Sequence, residues 1–161
     1  MQQKLILIFL FLISFTGFCQ QKTTPEVVDF EGVSPLLSAT DDKIYIINFW
    51  ATWCAPCIKE IPYFEQILEK YQDQKVEVIL VSLDFAEHLE NRVIPFIEKN
   101  NIQSQVVVLD DTNSNYWIPL VHPQWSGAIP ATLIYHKNHR KFYEKSFTYN
   151  ELENELKTFL P

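Results

Sequence analysis

Phe49-Trp50-Ala51-Thr52-Trp53-Cys54-Ala55-Pro56-Cys57 is where two patterns of different period meet. Upstream, Lys43-Ile44-Tyr45-Ile46-Ile47-Asn48-Phe49-Trp50 is a β-branched and aromatic run, the pattern of a strand buried on both faces. Downstream, Ile61, Phe64, Ile67, Leu68 and Tyr71 recur at helical spacing with Lys and Glu between them, an amphipathic helix. The cysteine pair therefore sits where strand turns into helix. At such a junction, unpaired N–H groups and a partial positive charge point at the first sulfur. That favours thiolate over thiol and draws Cys54 below the free value of about 8.5. The thiolate is the attacking species in disulfide exchange, and Cys57, one turn further in, is placed to resolve the mixed disulfide. Pro56 suits the first turn, where its missing N–H removes no helix bond.

Two other uses of the pair compete with this chemistry. A permanent structural disulfide fits an exported protein, but across two intervening residues it closes a tiny loop and constrains the unfolded chain little. A zinc site needs a second pair of ligands. The local candidates, His136 and His139, fall in a predicted hairpin turn, so no metal and no cofactor are expected.

Working outward, Val76–Leu83 reads as a second central strand. A helix ending near Asn100 follows, its start blurred by Pro95, and then a third strand at Val106–Leu109. Ala131–Tyr135 and Lys141–Phe147 form a predicted hairpin around His136–His139. Thr148-Tyr149-Asn150-Glu151 has capping-box spacing, and Leu152, Leu156 and Phe159 line one face of a closing helix. Strands alternating with helices, then a hairpin and a last helix, give an α/β sheet covered on both faces.

The 161 residues are 47% hydrophobic and 20% charged, with three glycines, which excludes collagen-like and disordered classes. The net charge of −7 carries no basic stripe, so nucleic acid is not an expected partner. Residues 1–19 read as a signal peptide. Lys4 precedes the apolar run Leu5–Ile13, and Gly17 and Cys19 are the small residues before a cut at Gln20. The alternatives are an uncleaved anchor, which tethers the protein to the membrane, or acylation at Cys19. Cleavage leaves residues 20–161 as one domain whose cysteines are Cys54 and Cys57.

The segment Phe49–Cys57 resembles the active site of the thioredoxin superfamily and, more narrowly, of the exported TlpA/ResA-type thiol–disulfide oxidoreductases. Pro62, five residues past Cys57, and Gly127-Ala128-Ile129-Pro130-Ala131-Thr132, similar to the loop carrying the cis-proline of that family, extend the match. The resemblance implies a thioredoxin-like fold, a central mixed β-sheet with helices on both faces. It implies a cis Ile129–Pro130 bond facing the cysteines, with the Ile129 backbone free to pair with an extended substrate. Trp53, Ile129 and Pro130 are then the substrate-binding residues.

By spacing alone Glu60 is a solvated glutamate on an amphipathic helix. The resemblance makes it a functional acid that shuttles a proton to or from Cys57, so that the catalytic set is Cys54, Cys57 and Glu60. Asn48 stands where cytosolic thioredoxins have a buried aspartate; it cannot titrate, and otherwise reads as a core amide bonded to backbone. In the long stretch before Pro130, Trp117 and Trp125 either border the substrate groove or pack over the sheet, and His122 reads as a loop histidine.

The expected protein is a monomer in the periplasm or cell envelope. It reduces disulfides of exported proteins and is recharged by a membrane thiol electron donor. Uncharged Ala55-Pro56 and the acid at Glu60 favour the reducing end of the superfamily's potentials, about −270 to −120 mV. The alternatives are an oxidase or isomerase of the same fold, or a copper- or partner-binding module. A peroxidase is disfavoured, because Thr52 lies two residues before Cys54 rather than three.

Overall fold

Strand β2, Ile44–Trp50, alternates its side chains between two apolar layers. Ile44, Ile46 and Trp50 enter one core; Ile47 and Phe49 enter the other. A strand lined on both faces must lie inside a sheet, and it does. In this computed structural model, which describes residues 24–160, six strands run in the order β1-β4-β3-β2-β5-β6. These are β1 (Glu26–Val28), β2, β3 (Val76–Ser82), β4 (Gln105–Leu109), β5 (Ala131–His136) and β6 (His139–Tyr143). The first four are mutually parallel. β5 pairs antiparallel with β2, and β6 antiparallel with β5.

Helices α1 (Phe30–Val33), α2 (Ala55–Tyr71), α3 (Ile94–Lys99), α4 (Ser114–Val121) and α5 (Tyr149–Lys157) divide between the faces. α2, α3 and α5 bury Ile61, Phe64, Ile97, Leu152 and Leu156 on the face of Ile46 and Trp50. α1 and α4 bury Phe30, Val33, Trp117 and Val121 on the face of Ile47 and Phe49. The mixed, doubly covered sheet is the expected architecture. The Thr148–Glu151 capping box opens α5, with both reciprocal bonds made.

Several elements differ from expectation. The segment before Asn100 is not one helix. A 3-10 turn, Ala86–His88, and a π turn, Leu89–Val93, precede α3, which starts where Pro95 can occupy the first turn without losing a bond. The hairpin turns at Lys137, whose φ is 54°, so His136 and His139 pair across the strand ends. β6 stops at Tyr143, and Phe147 leaves the sheet for α2. The stretch before Pro130 holds α4 despite its internal Pro119. That helix survives because Trp117 and Val121, four residues apart, are both buried. β1 and α1, with no expectation attached, add a short edge strand and cover it. The expected signal peptide, residues 1–19, lies outside the described residues.

Candidate active site

The end of β2 leads directly to the cysteines. Leu83 N–H donates to Trp50 O at 2.7 Å, and Cys54 N–H closes a turn onto Ala51 O at 3.1 Å. Cys54 is the N-cap of α2, with extended backbone, and its sulfur accepts from Cys57 N–H at 3.4 Å. Ala55 and Pro56 fill the first turn. Cys54 and Cys57 are joined in a disulfide, Cα atoms 5.3 Å apart. The Cys57 N–H and the positive end of a 17-residue helix face the Cys54 sulfur, the environment that favours a thiolate there. Ile129 O lies 3.8 Å from the same sulfur, and the Ile129–Pro130 bond is cis. Trp53 projects beside the pair, 60% exposed.

One turn beyond Cys57, Glu60 is 1% exposed. Its Oε1 accepts from Asn48 Nδ2 at 3.0 Å and its Oε2 from Phe147 N–H at 2.6 Å. Burial pushes its pKa up from 4.5 to about 7, against the opposing pull of the Phe147 and Asn48 hydrogen bonds. Desolvation wins because two neutral donors replace only part of a carboxylate's hydration. Asn48 Nδ2 also donates to Thr132 Oγ1 at 3.1 Å, while Asn48 Oδ1 is buried without a partner among the described residues. A group poised near neutrality beside a disulfide can take and return a proton at working pH.

Residues 15–140 match the AhpC/TSA family. The chain belongs to the AhpC/TSA family. Within it, the chain is 30% identical over 138 residues to the thiol-disulfide oxidoreductase ResA of a Bacillus cereus strain, covering 84% of this chain and 74% of that one. The ResA of Geobacillus thermodenitrificans is 27% identical over 157 residues, covering 94% and 84%. Solved structures share the fold, among them the following two. A thiol:disulfide interchange protein of the thioredoxin family from Chlorobium tepidum TLS superposes with a TM-score of 0.61 at 22% identity, covering 78% of this chain and 83% of that one. A DsbF homologue from Corynebacterium diphtheriae gives 0.62 at 21%, covering 74% and 73%. The thioredoxin-like character inferred from the cysteine segment is thus shared by relatives and fold neighbours.

In this AhpC/TSA-family chain the structure brings Cys54, Cys57 and Ile129 into one small region and places Glu60 in the layer beneath. Two readings from the residues alone are corrected. Glu60 is not a solvated helix residue. Cys57, Glu60, Ile61, Phe64 and Ile67 are all on the buried face of α2. Asn48 bonds to side chains, Glu60 and Thr132, rather than to backbone. Of the two placements open to the tryptophans, packing is the one observed. Trp125 lies 4.8 Å from Phe49 and 5.6 Å from Trp117, ring to ring. Trp125 nevertheless reaches the loop before Pro130, its indole N–H donating to Ala128 O at 2.8 Å. His122 caps the end of α4 and stacks on Phe142 at 4.6 Å. Among the described residues, no cluster of three or more His, Cys, Asp or Glu is arranged to hold a metal ion. Asp84 and Thr132, both buried polar residues near the site, escaped the sequence reading. The signal for Asp84 was an acid placed directly at the end of a strand, Val76–Leu83, read as central.

Proposed function

We propose that the protein is a thiol–disulfide oxidoreductase of the cell envelope that reduces disulfides in exported proteins. The observation that carries this reading is the Cys54–Cys57 disulfide at the N-terminus of α2 with the buried acid Glu60 one turn behind it. In the reduced protein the Cys54 thiolate attacks a substrate disulfide, and the departing substrate sulfur leaves as thiolate. Cys57, its proton passing to Glu60, then attacks the Cys54 sulfur of the mixed disulfide. The substrate's second sulfur is released, two electrons have moved to the substrate, and Cys54–Cys57 is oxidised. Trp53 and the Ile129–Pro130 backbone hold the substrate segment against Cys54.

The curated relatives carry the name thiol-disulfide oxidoreductase, and a secreted disulfide oxidoreductase of Mycobacterium tuberculosis shares the fold with a TM-score of 0.57 at 17% identity. Export rests on residues 1–19 acting as a signal or anchor ahead of the domain 20–161. Among the described residues no helix is long and apolar enough to cross a membrane. Outside the cytoplasm a reductant must be recharged, which requires a thiol electron donor in the membrane. Ala55-Pro56 brings no charge to stabilise the thiolate and the acid at Glu60 works against it, which supports a potential toward the reducing end of the range.

A Cys57→Ala variant should accumulate mixed disulfides through Cys54, and the wild-type couple should equilibrate with glutathione near the thioredoxin value of about −270 mV. Absence of trapped partners would overturn the mechanism. A potential near about −120 mV would overturn its direction and favour the oxidase.

A further inference from the structure

Asp84, the second residue after β3, is completely buried. Its Oδ2 accepts from Thr52 N–H at 2.8 Å and from the Ser82 hydroxyl at 2.8 Å; its Oδ1 accepts from the Thr52 hydroxyl at 2.6 Å. The Asp84 N–H returns a bond to Ser82 Oγ at 3.1 Å. Among the described residues no Lys, Arg or His lies within ion-pair distance of it. A carboxylate buried without a cation is costly, and charge-assisted bonds to both sides of one residue are the compensation this site supplies.

That residue, Thr52, lies on the approach to the disulfide. Trp50 and Ser82 form the last register pair of β2 and β3, and Leu83 N–H still reaches Trp50 O. The grip of Asp84 on Thr52 continues this pairing past the strands onto the turn Ala51–Cys54, which otherwise has one backbone bond across it. Two peptide units separate Thr52 from Cys54, at most about 7.6 Å between Cα atoms.

We propose that Asp84 is a positioning residue for Cys54, its buried carboxylate clamping Thr52 to set the turn that presents the sulfur and adding negative potential beside it. The inference rests on the exchange chemistry proposed above. It deepens the reductant assignment, because a fixed negative charge near Cys54 disfavours the thiolate and stabilises the disulfide. Two further acids and a histidine lie on the segments next to Asp84. Asp110, after β4, takes Ala86 N–H at 3.1 Å, and Glu87 and His88 face each other on the turn between them.

The test uses the protein purified from the full-length chain, with Asp84→Asn, Thr52→Val and Thr52→Ser. Three quantities are measured: the pH midpoint of Cys54 alkylation, the rate of thiol–disulfide exchange with a small disulfide, and the potential against glutathione. Asp84→Asn retains the shape, the Thr52 hydroxyl turning to accept, and removes the charge. Its alkylation midpoint should fall by about one unit, a tenfold gain in thiolate, and its potential should rise by about 30 mV. Thr52→Val keeps the acid but loses the hydroxyl bond, and exchange should slow about tenfold, with Thr52→Ser restoring it. Unchanged midpoints in Asp84→Asn, or exchange in Thr52→Val within twofold of wild type, would make the clamp a fold fastener and overturn the proposal. Failure of the exchange reading itself is distinguished by the wild type, which would then show neither an acidic Cys54 nor exchange.

Discussion

Replacing Glu60 by Gln removes one ionisable group from a site where ionisation is expensive. The wild-type carboxyl titrates near 4.5 when unfolded and is pushed up to about 7 in the folded chain by burial. Below pH 4.5 it is protonated in both states and makes no difference to stability. Between 4.5 and 7 the folded state holds a proton that the unfolded state has released, so stability falls as pH rises. Above 7 both states are ionised and the full penalty applies. At about 1.36 kcal/mol per unit, the displacement amounts to about 3 kcal/mol. That is a sizeable fraction of a domain's net stability.

The assay is urea unfolding of the oxidised protein from about pH 4.5 to 8.5, wild type against Glu60→Gln. Gln keeps an acceptor for Asn48 Nδ2 or Phe147 N–H, the two bonds Glu60 makes, so the variant should fold. The informative quantity is the difference curve, from which histidines and the termini cancel. Carboxyls held low by their partners, Glu151 and Glu153 at about 2, finish titrating below the window. The wild type should lose about 3 kcal/mol relative to Glu60→Gln across the window, with the midpoint of that loss on the acid side of 7. Parallel stability curves would show that Glu60 titrates normally in the folded chain. The proton-shuttle role would then lose its physical basis, whatever the activity of the variant.

Three shorter tests probe the surroundings. Trp53→Ala, at a side chain 60% exposed, should change folding stability by less than about 0.5 kcal/mol. It should raise KM for a protein disulfide about tenfold and leave exchange with a small disulfide unchanged; equal loss on both would assign Trp53 to the cysteine chemistry itself. Gly127→Ala places a Cβ 2.9 Å from Ile118 Cδ1 at φ +91°. It should cost about 1–2 kcal/mol, read as a lower urea midpoint at unchanged m-value. Glu153, which accepts from Lys157, Lys70, Tyr149 and Tyr71, ties α5 to α2 and is held low, at about 2, first by Lys157 and then by Lys70. Its contribution is present above 4.5 and lost as pH falls toward 2. Glu153→Gln should therefore lower Tm at neutral pH and flatten the acid limb of the Tm–pH curve; an unchanged limb would refute the assignment.

The central strands, α2 and the capping box of α5 were legible because each rests on local periodicity or local capping chemistry, which tertiary context here only reinforces. What was illegible depended on distant partners. β1 is three residues long and is stabilised by pairing with β4, far along the chain. α4 contains a proline and a short apolar pattern, and is stable because Phe30 stacks on Trp117 at 6.2 Å and Trp125 closes over it. The π turn before α3 has no local signature at all. In the site, the cysteine pair declared itself, whereas the acid at the end of β3, Asp84, acquired a role only once Thr52 was placed opposite it.

Glu60 lies between these cases, and its burial was derivable. The apolar stripe Ile61, Phe64, Ile67 and Tyr71 repeats at three- and four-residue steps; run backward one heptad from Phe64 and Ile67, it lands on Cys57 and Glu60. A carboxylate occupying a slot of an apolar stripe is a burial prediction, not a solvation one. Parity along β2 supplies its partner. Asn48 is in phase with Ile46 and Trp50, so its amide must face the layer that α2 covers. Two independent periodicities, about 3.6 on the helix and about 2 on the strand, therefore aim a buried acid and a buried amide at the same layer. A solvated Glu60 would have required the stripe to begin at Ile61. The buried Cys57 shows that it begins a turn earlier, and the same turn that hides the second sulfur from solvent hides the acid proposed to serve it.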